Sequence, residues 1–100
     1  MSHTPDEIKS VYGFLKQTPE GNLRKMLVDK DLTDLHFRTL MKIVKGAPED
    51  EFVEGFQNET MGKLRLSAKE QPIKENFWYV CKIKLMSLGL ISKQNVQKAA

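Results

Sequence analysis

Helix-start signals recur so closely along this chain that they point to an all-α fold. Thr4-Pro5-Asp6-Glu7 places a threonine at an N-cap, a proline at the first helical position and a glutamate at the third. This is a capping box in which the proline's missing N–H is harmless. Ile8, Val11, Tyr12 and Leu15 follow at the i, i+3, i+4, i+7 spacing of one apolar helix face. Thr18-Pro19-Glu20-Gly21 repeats the start, with Leu23, Met26 and Leu27 as the face. Asp31 or Thr33 caps a third helix facing inward through Phe37, Leu40, Met41 and Val44, with Gly46 suited to its end. Pro48 opens a fourth helix, whose first turn holds Glu49, Asp50 and Glu51, where the helix dipole favours anions. Phe52, Val53 and Phe56 anchor it. The three Pro-bearing starts begin at 4, 18 and 47, without a fixed period, so they are one capping solution used repeatedly and not a structural repeat.

Residues 58–66 carry the weakest signal. Lys63-Leu64-Arg65-Leu66 alternates like a strand, but no second strand is in sight, so the segment reads as an irregular or short helical link. Ser67-Ala68-Lys69-Glu70 is another capping box and predicts a last helix over about 68–88, with Pro72 near its first turn. Gly89 supplies a left-handed stop and Leu90 the apolar contact of a Schellman turn. The expected architecture is a small single-domain bundle of about five helices over residues 1–92, with a frayed polar tail at 93–100. One hundred residues suffice for one such domain.

The last helix raises the functional question. It holds the only tryptophan and the only cysteine. Ile73, Phe77, Val80, Cys81 and Leu88 share one side, flanked by Trp78 and Leu85, while Tyr79, Ile83 and Met86 lie on the far side. A helix apolar nearly all round is either central to the bundle or an interface. In the second case Tyr79, Ile83 and Met86, with Trp78 at the edge, form a patch for another protein or a second copy of the chain.

Charge offers the alternative partner. Residues 1–59 hold eight Lys/Arg and eleven Asp/Glu, a net −3; residues 60–100 hold eight against two, a net +6. Arg38, Lys42 and Lys45 stand at i, i+4, i+7 opposite the apolar side of the third helix, a face suited to phosphates. Lys63, Arg65, Lys69 and Lys74 form a second basic segment. The ending "KLMSLGLIS" resembles the close of a winged-helix recognition helix. Such a helix needs polar side chains for bases where this one offers Trp78, Tyr79, Ile83 and Met86, so the chain is not assigned to that family.

Catalysis is not expected. His3 precedes the first helix, where mobility is expected, and His36 lies at the flank of the third, half exposed. Cys81 sits on the apolar side of its helix, where a thiol is inert. One Cys and two His do not suggest a zinc set, and Asp29, Asp31 and Asp34 lack the central Gly and terminal Glu of a calcium loop. No phosphate-binding glycine motif occurs. The longest apolar run, Phe77–Cys81, is five residues against the roughly twenty of a membrane span. With no disulfide pair and no apolar leader, a cytoplasmic location is expected. The sequence thus predicts a non-catalytic, cofactor-free helical module that binds a protein or, alternatively, nucleic acid; neither a membrane nor a small-molecule substrate is expected.

Overall fold

The structure is a computed structural model and describes residues 3–27 and 32–92. Asp29, Asp31 and the expected tail at 93–100 lie outside the described residues. Five α-helices follow in order: α1 (Pro5–Gln17), α2 (Glu20–Leu27), α3 (Asp34–Gly46), α4 (Glu49–Asn58) and α5 (Phe77–Ser87). A single 3-10 turn, Gln71–Ile73, precedes α5, and no strand occurs among the described residues.

The starts of α1 and α3 work as their sequences dictate, whereas Thr18 closes the end of α1, its hydroxyl donating to the Phe14 carbonyl at 2.7 Å, and Pro48 precedes α4 without a side-chain cap. Thr4 Oγ1 accepts from the Glu7 amide at 3.2 Å, and Thr33 Oγ1 from the His36 amide at 3.1 Å. α1, α3 and α4 pack against one another. Ile8, Val11, Tyr12 and Leu15 of α1 are buried, each such side chain contributing about 1.5–3 kcal/mol. The Tyr12 hydroxyl donates to the Ala47 carbonyl at 2.7 Å, tying α1 to the α3–α4 turn. The aromatic centre joins α1, α4 and α5: Phe52 lies 5.1 Å from the Tyr12 ring and 5.8 Å from Trp78, and Phe56 lies 5.4 Å from Trp78.

Two expectations are corrected. The last helix begins at Phe77, not near 68. The Ser67–Glu70 capping box does form: Glu70 Oε1 accepts from the Ser67 amide at 2.8 Å. It heads only one turn, because Pro72 has no N–H to extend a helical ladder and its ring crowds the carbonyl four residues back. The segment 61–66 is neither helix nor strand. His3, in turn, is buried at 3% exposure. Its ring packs edge-on against Phe56, Nδ1 lies 3.2 Å from Glu7 Oε1, and its carbonyl accepts from Gln57 Nε2 at 3.1 Å. The second Glu7 oxygen accepts from the Ser92 amide at 2.5 Å.

At the other end of α5 the Schellman turn is complete. Gly89 takes φ 78°, its amide bonds the Met86 carbonyl at 3.0 Å, and the Leu90 amide bonds the Leu85 carbonyl at 2.9 Å.

Candidate interaction surfaces

α5 is neither central nor wholly exposed. Phe77, Trp78, Cys81, Lys84 and Leu85, at i, i+1, i+4, i+7 and i+8, form a buried stripe, and Met86 joins it at 6% exposure. Trp78 leans on α4, and Phe77 stacks on His36 of α3 with the rings 3° from parallel. Trp78 Nε1 donates to the Thr60 carbonyl at 3.1 Å, and Lys82, one turn on, pairs with Glu59. Together they clasp the turn that ends α4, where Glu59 holds the left-handed conformation at φ 54°. Gly55 must be small here, since a Cβ would stand 3.0 Å from the Thr60 carbonyl oxygen and 3.3 Å from the Trp78 ring.

The expected partner patch therefore divides. Trp78 is 2% exposed and Met86 is buried, so both are corrected from surface anchors to core. Met86 lies on the same side as Tyr79 but is covered, so this side is closed toward the C-terminal end of α5 and open around Tyr79. Tyr79 stays outside at 61% exposure, with Val80 and Ile83 half-buried beside it on the outer side.

The basic residues of α3 do not stand alone. Arg38 Nε pairs with Asp34 Oδ2 at 2.9 Å, Lys42 Nζ with Glu70 Oε1 at 3.1 Å and Lys45 Nζ with Glu20 Oε1 at 3.4 Å. The two exposed pairs, Arg38–Asp34 and Lys45–Glu20, add about 0–1 kcal/mol each to stability, and all three cancel much of the field a polyanion would meet. In the second basic segment Lys63 reaches Glu54 at 3.4 Å. Arg65, Lys69 and Lys74 are exposed and have no acidic partner among the described residues. Comparison of the chain with protein-family models, with curated proteins and with solved structures finds no match. Among the described residues, no cluster of three or more His, Cys, Asp or Glu side chains is placed to hold a metal ion, and no helix is long and apolar enough to cross a membrane.

Buried polar groups serve the fold. Glu70, 7% exposed, takes the Ser67 amide and Lys42 and lies 3.5 Å from the Thr39 hydroxyl, fastening the segment before α5 to α3. The Ser67 amide, then Lys42, hold its carboxyl below the usual range. The hydrogen bond from Arg24, with Arg38 nearby, does the same for Asp34. Burial pushes the Cys81 thiol up, away from the reactive thiolate.

His36 behaves oppositely. Its Nε2 is buried without a hydrogen-bond partner, and burial holds its pKa below the ordinary value. The unfolded chain therefore takes up this proton first as pH falls. Stability is full above about pH 6.5 and declines below it. Asp34 and Glu70, with lowered folded values, add stability above about pH 4.5 that disappears as pH falls through those values. Thermal melts across pH are expected to show both declines. His36→Phe, which keeps a ring against Phe77, is expected to remove the upper decline and leave the lower one; an unchanged upper decline would assign it to another group.

Proposed function

We propose that this chain is a non-catalytic protein-binding module of the cytoplasm that engages its partner through the outer face of α5, with Tyr79 as the anchor and Ile83 beside it. The observation that carries this reading is the 61% exposure of Tyr79, flanked by half-buried Val80 and Ile83 on a helix whose other aromatic residues are in the core. Tyrosine is favoured at interfaces because it offers a large apolar ring with a polar tip, and a central anchor of this kind typically contributes about 2 kcal/mol or more. The test is affinity capture with the whole chain against Tyr79→Ala/Ile83→Ala, together with sedimentation for self-association. A protein partner or dimer lost by about tenfold or more in the double variant, with circular dichroism unchanged, supports the reading. Equal capture by both chains refutes it.

A second reading, contact with nucleic acid, is favoured by one observation: Arg65, Lys69 and Lys74 are exposed and unpaired among the described residues. Binding to a single-stranded oligonucleotide would then weaken steeply as salt rises, and Lys69→Glu/Lys74→Glu would flatten that slope.

A further inference from the structure

We propose a second binding site, independent of α5: the groove beside residues 63–66 takes a peptide segment in which an apolar side chain stands next to a carboxylate. The groove encloses about 250 Å³ between the end of α3, the start of α4 and this segment. That is smaller than the roughly 300–1,000 Å³ of small-molecule sites and suits one or two anchoring side chains.

Its floor is apolar, formed by Ile43, Ala47, Leu64 and Leu66. Ile43 and Ala47 belong to the packed core, and the Tyr12 hydroxyl holds the Ala47 carbonyl, so this side of the floor is fixed before anything binds. Leu64 and Leu66 are only half-buried, which leaves apolar surface for a guest to cover. The rim carries Lys42, Lys63 and Arg65 against a single acid, Glu51. Lys42 and Lys63 each reach a carboxylate elsewhere, while Arg65 has none among the described residues. A guest carboxylate therefore finds one unpaired guanidinium, able to grip it with two N–H donors, beside two lysines whose charges are already met by Glu70 and Glu54.

The backbone adds an independent reason for a peptide. Leu64 donates its amide to the Met61 carbonyl, and the Leu66 carbonyl accepts from Gln71. The amides of Lys63, Arg65 and Leu66 and the carbonyls of Lys63, Leu64 and Arg65 make no hydrogen bond among the described residues. These main-chain groups are open to a peptide's backbone as they are to water. Phosphates could use Arg65 but not the free carbonyls or the leucine floor, which is why a peptide is favoured over nucleic acid.

The experiment titrates the whole chain into a fluorescein-labelled hexapeptide alternating leucine and glutamate, read by anisotropy. Amide shifts of residues 63–66 in the unaltered protein are followed alongside. Gly46 lines the groove, and a Cβ there meets nothing within 4 Å, so Gly46→Phe adds a ring at the groove with no clash at its Cβ, and circular dichroism checks that the fold is kept. Saturable binding is expected, with shifts confined to this segment and its rim. It should weaken by about tenfold or more in both Gly46→Phe and Arg65→Glu, and be absent for the peptide with lysine in place of glutamate. No saturation by about 1 mM, a scale of about −4 kcal/mol, overturns the proposal. So does binding that Gly46→Phe leaves intact, or displacement by an oligonucleotide as effective as by unlabelled peptide. Tyr79→Ala/Ile83→Ala is expected to leave this binding unchanged, which separates failure here from failure of the α5 reading.

Discussion

Replacing Trp78 with alanine is expected to remove about 3–5 kcal/mol of stability, a large share of the about 5–15 kcal/mol that a domain of this size commonly has in all. Three effects add. The indole is 2% exposed and touches Phe52, Phe56 and Phe77, with ring centres 5.8, 5.4 and 4.9 Å away, so its loss opens a cavity where α4 meets α5. The Nε1 hydrogen bond to Thr60 disappears. The left-handed Glu59 turn, unfavourable in itself for a non-glycine, loses half of the clasp that holds it. Urea titration followed by far-UV circular dichroism measures the change. Trp78→Phe, which keeps a ring and forfeits the hydrogen bond, should lose markedly less. In the unaltered protein the emission of this sole tryptophan should be blue-shifted and poorly quenched by acrylamide. A loss below about 1 kcal/mol for the alanine variant, the scale of one hydrogen bond, would contradict the packing described here.

Met86→Ala and Tyr79→Ala, two turns apart on the same side of α5, are expected to behave as opposites. Met86 is 6% exposed within the core cluster, and its truncation should cost about 2–5 kcal/mol. Tyr79 is 61% exposed, and its truncation should stay within about 0.5 kcal/mol of the parent. The same urea titration measures both. If the order were reversed, the cover over the Met86 end of this side and the openness around Tyr79 would be the wrong way round, and the proposed anchor would be part of the core.

Those two residues mark where the sequence stopped being informative. α1 to α4 were legible because each carries an apolar stripe of helical period behind a proline or threonine start, and in α1 and α3 the threonine cap adds local hydrogen bonding that agrees with burial. The Schellman end of α5 was legible for the same reason: Gly89 and Leu90 are a local device. The face of α5 was not, because apolar residues surround the helix and periodicity cannot choose between sides. The choice is made by Phe52, Phe56 and His36, which lie far away in sequence. The start of α5 was misread because the Ser67–Glu70 box is real, and only Pro72 and the tie of Glu70 to Thr39 and Lys42 turn the chain away from continuing. The groove beside Leu64 and Leu66 gave no sequence signal, since it arises from the meeting of three separate stretches. The basic face of α3 was visible as Arg38, Lys42 and Lys45, but their partners Glu70 and Glu20 were not, because no local spacing links them.

The carboxylate of Glu7 makes the described fold nearly a ring. It meets His3 on one oxygen and the Ser92 amide on the other, a contact across 85 positions of chain. Closing so long a flexible loop costs about 4 kcal/mol in chain entropy beyond a constant term, and the packed helices have already met that cost before Glu7 closes the circle. Beginning and end of the described chain are therefore neighbours. A short linker joining them, with the backbone reopened between α1 and α2, is expected to give a circular permutant that keeps the helical content, as far-UV circular dichroism would show.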